Sequence, residues 1–460
     1  MKAKKENRLE KSGRSDEIKI MSGITGIYVM LMCSIYLLYT GTGGYEHITQ
    51  SKFVLFTVLT AGYVGISLLL RLELVVVGAA EPGGFKNVVQ CMPPAGWLML
   101  GYAVITVVSA LCSEYRSLAV WGGVRREGAV TIVLYVLCAV FIAVSYVPSW
   151  KHITVFAAAV SLNCILAFVQ IAGYNPFGLY PEGMSYADAF VKYSGEFLGT
   201  VGNVDQMAAV LCIAIPLFIM SMIRMKSRYR FLLAVPLLLS TVLLFMEKVQ
   251  AGILGVLAGV VLSLPLVCRL DRKKRRAVYV LILVVVLVFL AVIYCVGAQL
   301  PGSLNELSQI MHGNFDGSYA TGRLYIWKNT LPLVPEHVIL GGGPDTLSMR
   351  LDAGFSRFNE AIGQTVTSSI DAAHNEYLNV LVNQGIIALI FYIAALLALA
   401  WHWVRESDRQ AITAVCGSVI LAYCIQAFFG ISCLVSAPYL WIVVGIMIND
   451  SYTERKAALK

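Results

Sequence analysis

Charge is scarce in this chain. Asp, Glu, Lys and Arg make up 13% of its 460 residues, against roughly a quarter in a soluble domain. Apolar residues make up 58% and mean hydropathy is +0.74. That balance excludes a soluble domain and points to a polytopic membrane protein. Histidine is scarce too, at six residues. There is no HExxH, no DxD on a connecting loop and no His/Cys cluster at ligand spacing, so no metal or cofactor is expected. No CxxC occurs. The eleven cysteines (33, 91, 112, 138, 164, 212, 268, 295, 416, 424 and 433) are scattered, mostly in apolar segments. They read as small hydrophobes and not as disulfides. The glycine-rich GGGPDT at 341–346 lacks the GK[ST] of a nucleotide-binding loop and reads most simply as a turn. The net charge of +8 is spread over short loops with no basic stripe among aromatics, which excludes nucleic acid as a partner. The N-terminal stretch lacks a short apolar core with a small-residue cleavage site, so no cleaved signal peptide is expected.

What the chain does have is long apolar runs. A bilayer core takes roughly 20 apolar residues in a helix. Twelve segments qualify: about 20–39, 53–70, 95–112, 129–147, 152–172, 204–222, 231–246, 250–268, 277–299, 375–400, 410–428 and 433–449. The pair 231–246 and 250–268 is parted only by Glu247, Lys248 and Val249. It is either a tight hairpin or one broken helix, so eleven spans is the alternative. With the N-terminus inside, the cytoplasmic pieces hold 25 of the 35 Lys and Arg, against 10 outside. RMKSRYR and CRLDRKKRRA are the strongest cytoplasmic anchors. The expected organisation is a basic cytoplasmic tail at 1–19, spans 1–9 over 20–299, a large outer loop at 300–374, spans 10–12 over 375–449, and a cytoplasmic tail at 450–460. A second long outer loop runs over 173–203. Within the large loop, SLNELSQIMHG and TGRLYIWKNTLPLV read as amphipathic helices on the membrane surface. The second has Leu324, Trp327 and Leu331 on one face and stops at Pro332 and Pro335.

The chemistry-bearing side chains collect on the outer loops. Charges inside the spans are nearly absent, which counts against an ion relay. His374 stands at the lip of a span, three residues after Asp371. An imidazole of pKa near 6.5 can take a proton from a hydroxyl; the bland alternative is an interfacial helix cap. Arg323 is a fork for phosphate oxygens or a solvated loop arginine. Arg125 and Arg126 in WGGVRREG add positive potential for an anion or flank a helix start. Lys248 and Gln250 sit at the tip of the seventh and eighth spans, and Lys248 is a second candidate phosphate ligand.

Three stretches together resemble one family. They are FLGTVGNVDQMAAVLCIAIPL (197–217), TGRLYIWKNTLPLVPEHVILGGGPDTL (321–347) and DAAHNEYLNVLVNQGIIAL (371–389). They are similar to the Gly-Thr/Gly-Asn, loop Arg-Trp-glycine and His-Asn motifs of the O-antigen ligases and polymerases. They occur in order over roughly 195–400, with the large outer loop between the right spans. The resemblance implies an all-α, type C glycosyltransferase-like fold with about twelve transmembrane helices. It implies a metal- and cofactor-independent inverting transferase in the bacterial cytoplasmic membrane, with its active site on the outer face. The donor would be a glycan on a polyprenyl pyrophosphate such as undecaprenyl pyrophosphate. The acceptor would be a glycan, lipid or protein, and other polysaccharide-export enzymes are possible partners. On the matching positions, Arg323 would bind pyrophosphate and His374 would activate the acceptor hydroxyl, with Asp371, Asn375, Gln250 and Asn203 in support. One departure stands out: in EKVQAGILG, Gln250 falls where the family usually has a second arginine. Lys248 is the candidate substitute, as a point charge without the fork. The competing expectation is a transporter or flippase for an anion or a lipid-linked sugar. The near absence of intramembrane charge and of repeat symmetry opposes it.

Overall fold

The computed structural model describes residues 19–76, 84–180, 198–226, 228–359 and 364–458. The expected tail at 1–19, most of the 173–203 loop and the last two residues lie wholly or largely outside them. The elements are α1 (Lys19–Tyr36) and then α2 (Gly44–Val76), α3 (Gly84–Cys91), α4 (Pro94–Cys112), α5 (Arg116–Trp121), α6 (Ala129–Ser145), α7 (Trp150–Ile171), α8 (Val204–Arg224), α9 (Ala234–Glu247), α10 (Gln250–Val267) and α11 (Arg272–Val296). Beyond α11 come α12 (Ser303–Met311), α13 (Arg323–Thr330), α14 (Leu347–Arg350), β1 (Gly354–Asn359), β2 (Gln364–Ser369), α15 (Glu376–Glu406), α16 (Ala411–Ala427) and α17 (Ala437–Ala458). Every expected span has its helix.

Among the described residues, nine helices are long and apolar enough to cross a bilayer, and α6 and α16 are shorter apolar helices. The chain is therefore an all-α multi-pass membrane protein. α17 is the special case: nearly every residue from Ala437 to Ile448 is buried. A helix wrapped by protein needs no strong hydropathy of its own, because its surroundings and not lipid solvate it. It also continues to Ala458, into the segment expected to be a tail. At the other extreme stands α11. Its described side chains are almost all exposed, with only Ile293 buried, as suits a helix that meets lipid nearly all round.

The α9–α10 question resolves as a hairpin. Lys248 takes a left-handed conformation, φ 56°, between two separate helices. α10 then lies close against α16. A Cβ on Gly259 would come within 2.4 Å of the Ala422 Cβ, and one on Gly255 within 2.8 Å of the Ala422 carbonyl oxygen. Small residues one turn apart permit this approach where no hydrophobic effect drives helices together.

The large loop is only partly as expected. α12 and α13 fall on the two amphipathic segments, and Pro332 and Pro335 lie in 3-10 turns after α13. The buried face of α13 differs, however: Ile326 and Thr330 are inside, while Leu331 is exposed. The loop also carries an antiparallel hairpin that hydropathy did not suggest, pairing Gly354 with Ser369 through Asn359 with Gln364.

α15 is broken. Gly385 has φ 83° and ψ 177°, so residues 376–384 form a half-helix whose last carbonyls are released. The glycine-rich turn takes them up: Gly342 N–H donates to Val382 O at 3.2 Å and Gly343 N–H to Asn383 O at 2.7 Å. Ser109 donates to Asn383 O at 3.2 Å, and Arg350 donates to both Val382 O and the Asn383 side chain. Irregular backbone at membrane depth persists only when protein partners satisfy it in this way. GGGPDT is thus a turn, as expected, and it also plugs the break in α15, which the sequence reading did not anticipate.

Candidate functional site

The half-helix points its N-terminus at one end of the bundle, and the candidate residues gather there. Asn375 is its N-cap, accepting from Leu378 N–H at 3.0 Å. Just before it, His374 is half-buried with φ 47°. A left-handed histidine is held by its surroundings at a cost of order 1–2 kcal/mol, and such strain collects at functional positions. The peptide of Ala373 is gripped from both sides. The Trp327 indole donates to its carbonyl at 2.9 Å, and its N–H donates to Asn379 Oδ1 at 3.2 Å. Trp327 in turn packs edge-on to Phe428 and stacks on Phe429. α13 and the 428–429 turn therefore fix where the imidazole sits.

Arg323 opens α13. The approach to it is contorted: Ala320, Thr321 and Gly322 all have positive φ. Its Nε donates to Phe429 O at 2.7 Å, and Nη1 donates to Ala320 O and Thr321 Oγ1. Among the described residues Nη2 has no hydrogen-bond partner. The guanidinium is clamped along one edge, and its charge acts on His374.

Arg125 does something else. Its Nε and Nη2 fork onto the two carboxylate oxygens of Asp371, both at 2.8 Å. This paired geometry is the strong form of an ion pair, and it ties the α5–α6 connection to the loop bearing His374. Burial would raise the Asp371 carboxyl, but the Arg125 charge and fork outweigh it and hold the group below its ordinary range. His374 moves the other way from a typical paired histidine. Burial first, then the charges of Arg125 and Arg323, push its imidazole down to about 4, with Asp205 and Asp371 opposing. At neutral pH the ring is uncharged and can accept a proton.

The remaining expected residues spread out. Arg126 lies over the Phe53 ring at 5.5 Å. Asn203 caps α8, accepting from Gln206 N–H at 3.1 Å. The Gly-Thr of the same stretch is architectural: Thr200 donates to Leu37 O at the end of α1 and to Asn163 of α7, and Gly199 N–H donates to Gln170. Gln250 donates to Ser303 of α12 at 2.5 Å. Lys248 is exposed at the hairpin tip. Arg125 and Asp371 thus pair on the loop that bears His374, and α13 brings Arg323 to the same end of the bundle; Lys248, Arg126 and Gln250 are not among their hydrogen-bond partners in the described residues.

Composition and hydropathy also missed a set of inward carboxyls. Glu127, Asp345 and Glu376 border a small cavity of about 30 Å³ with Asn379, Asn383 and Ser432. Burial pushes the Glu127 carboxyl up to about 8 and Asp345 up to about 6. Asp345 accepts from the N–H groups of Gly123 and Glu127, and Glu376 accepts from Tyr392 and Tyr423. These acids stand at the ends of helices, where a sequence reading places them in water; only packing turns them inward. One further residue was legible as an outer-loop charge but is not one. Lys52 is fully buried in α2 and donates to Tyr36 O and Leu37 O at the end of α1, the polarity expected for a cation at a helix C-terminus.

One end of this multi-pass membrane bundle thus carries a left-handed histidine three residues from a forked arginine–aspartate pair, with Arg323 on the adjoining α13. Residues 235–393 of the chain match the family described as O-Antigen ligase. The match supports a ligase- or glycosyltransferase-like enzyme acting in surface polysaccharide assembly. It covers Arg323, Asp371, His374 and the α9–α10 hairpin, while Arg125 and Asn203 lie before it. No curated protein matches the chain.

Proposed function

We propose that the protein transfers a glycan from a polyprenyl-pyrophosphate carrier to an acceptor hydroxyl, at the outer face of the bacterial cytoplasmic membrane. One observation supports the reading: α13, which begins at Arg323, is tied to the His374 loop by the Trp327 indole donating to Ala373 O at 2.9 Å, so the arginine and the histidine are held at one end of the bundle. The acceptor oxygen attacks the anomeric carbon, and the bond from that carbon to the pyrophosphate oxygen breaks. The acceptor proton passes to His374, and polyprenyl pyrophosphate leaves as an anion. In-line attack inverts the anomeric centre. Arg323 supplies fixed positive charge where the leaving group gathers negative charge, and its unoccupied Nη2 edge is the part available to phosphate oxygen. Arg125, occupied by Asp371, holds the histidine loop and adds potential at a distance.

A base of pKa about 4 is weak for this work. Two terms hold it there, burial and two cationic neighbours, and a bound pyrophosphate counters the second. Its negative charge raises the imidazole toward the working pH, where general-base catalysis is most effective. The histidine is thus tuned to become a better base when donor is present. The orientation rests on the charge bias: the basic stretches 223–230 and 269–276 lie at the end of the bundle away from His374, and such stretches stay in the cytoplasm.

The test separates transfer from transport. In detergent solution no membrane divides two compartments, so a flippase has nothing to do. Purified protein is given the host's lipid-linked glycan and its acceptor fraction. Released polyprenyl pyrophosphate and a new glycoconjugate support the reading. Donor recovered chemically intact, with protein still folded, overturns it. A ladder of products assigns polymerisation, and a single transfer assigns ligation.

A further inference from the structure

Of the inward acids, Glu127 and Glu376 accept from tyrosine hydroxyls, whereas Asp345 accepts from backbone. A single oxygen of Asp345, Oδ2, takes the Gly123 N–H at 2.6 Å and the Glu127 N–H at 3.2 Å. Those donors lie two residues to either side of Arg125. The segment between them therefore curls round the carboxyl, with Arg125 midway. The curl is tight. Arg126 is left-handed at φ 56° and Gly122 has φ 77°. A Cβ on Gly122 would fall 2.6 Å from the Arg126 carbonyl carbon, and one on Gly128 would fall 2.3 Å from the Gly122 nitrogen. Only glycine admits so close an approach, which accounts for Gly122 and Gly128 in WGGVRREG. Asp345 is itself left-handed, at φ 56°, a conformation that persists where the surroundings hold it.

Two separate paths lead from this carboxyl to His374. The first runs through Arg125, whose guanidinium forks onto Asp371, three residues before the histidine. The second runs through the glycine-rich turn. Leu347, two residues after Asp345, packs in one buried cluster with Ala373 and Val382. The Gly342 and Gly343 N–H groups hold the released carbonyls of the half-helix, and Ser113, just past α4, donates to Gly342 O at 2.6 Å and anchors the turn to the bundle. Asp345 thus joins the segment that carries Arg125 to the turn that supports the half-helix, and the fork closes the circuit at Asp371. The tie does not depend on charge. Backbone N–H groups need only an acceptor, and a carboxylate, a protonated carboxyl and an amide each present one.

We propose that Asp345 is a positioning residue for the transfer reaction: by drawing the Gly123 and Glu127 N–H groups onto one oxygen it fixes the backbone from which Arg125 reaches Asp371, and so fixes the loop that bears His374. The inference rests on the proposed transferase function and adds to it a residue that touches neither donor nor acceptor. Its effect falls on the base. Arg323 is carried by α13 and keeps its own contacts with Phe429 O and Ala320 O. Loss of Asp345 therefore lowers kcat and leaves donor KM near wild type, since a small misplacement of a reacting group slows the chemical step without a matching loss of binding.

The experiment uses the full-length protein and the variants Asp345→Ala, Asp345→Asn, Asp371→Ala and the Asp345→Ala/Asp371→Ala pair. Each is followed in the transfer assay with the host's lipid-linked glycan and in thermal unfolding. Asp345→Ala loses about 10–10²-fold in kcat per folded molecule at unchanged donor KM. Asp345→Asn, whose amide oxygen accepts the same N–H groups, recovers most of that loss. Should Asp345→Ala fail to fold, Asp345→Glu takes its place in both assays, keeping the charge but moving the oxygen by a methylene. Asp371→Ala lowers the Tm less in the Asp345→Ala background than in wild type, because the fork it removes has already lost its fixed base. Wild-type kcat in folded Asp345→Ala overturns the proposal. So does an Asp345→Asn no better than Asp345→Ala, or a Tm loss for Asp371→Ala that is the same in both backgrounds. The unfolding readout needs no turnover, so it tests the tie even where wild type transfers nothing, a result that would instead remove the transferase reading.

Discussion

His374 shows how far one residue's chemistry can be read from its neighbours. Its place in the sequence, after Asp371 and before Asn375, marked it as a candidate base. Its downward shift was invisible there, because burial and the charges of Arg125 and Arg323 from distant segments arise only in the fold. The consequence is measurable. The acid limb of kcat/KM for the free enzyme reports the base losing its proton, so it should lie near pH 4 and well below the ordinary histidine range. Arg125→Gln removes a cation that acts on the ring and frees the opposing Asp371, so the limb should move to higher pH; an unmoved limb would remove His374 as its source. Stability should follow the same sign. Between about pH 4 and 6.5 the unfolded chain binds a proton that folded His374 does not, so this residue makes stability rise with pH across that window.

The Arg125–Asp371 fork makes its own prediction at this scale. Both side chains are partly exposed, at 23% and 31%, so the pair is neither a screened surface contact nor a sealed one. A double-mutant cycle with Arg125→Ala and Asp371→Ala should return a coupling of about 1–3 kcal/mol in unfolding free energy. Additive losses would mean that the fork contributes nothing to holding the loop. By contrast, no sequence signal distinguished Glu376 or Glu127 from an ordinary solvated carboxylate at a helix end. Their direction is set by what packs around them.

At the scale of elements, the twelve helices were legible because lipid demands long apolar runs and the chain supplies them with sharp polar borders. The break in α15 was not. A lone glycine in VNQGII is compatible with an intact helix, and it becomes a break only because the 338–343 turn arrives to take up the freed carbonyls. Gly385→Ala tests this directly. Its Cβ would fall 2.2 Å from Ile339 O, on backbone already at φ 83°. The variant should lose at least about 2–3 kcal/mol and most of its activity, since the half-helix aims the His374 loop. Trp327→Phe is the gentler counterpart. It keeps most of the stacking but removes the hydrogen bond to Ala373 O, for about 1 kcal/mol. It should lower kcat while leaving donor KM near wild type. The hairpin β1–β2 escaped notice because it lies in a polar loop with no apolar face to announce it.

At the scale of the molecule, the arrangement places every loop-borne candidate at one end of the bundle and the densest basic stretches at the other. Two native cysteines can report on that polarity. Cys295 is exposed near the His374 end of α11, and Cys268 is exposed at the opposite end of the bundle, after α10. In single-cysteine variants an impermeant maleimide added to intact spheroplasts should label Cys295 and spare Cys268. The reverse pattern would put His374 in the cytoplasm and contradict the outer-face assignment. α11 offers a further check on scale. Its exposed apolar surface, including Val285 at 58%, should tolerate Val285→Leu, while Val285→Arg should impair insertion, at about 2.5–3.5 kcal/mol for a charge at mid-bilayer.

The central claim is that His374 and Arg323 act on one bound donor, the first on the acceptor proton and the second on the pyrophosphate. The most direct measurement is a reconstituted transfer assay on wild type, His374→Ala and Arg323→Lys with the host's lipid-linked glycan, following release of polyprenyl pyrophosphate and binding of donor. The account predicts that His374→Ala binds donor normally but loses about 10²–10⁴ in kcat, and that Arg323→Lys is impaired in both because a point charge replaces a fork. Turnover by His374→Ala at the wild-type rate would contradict it.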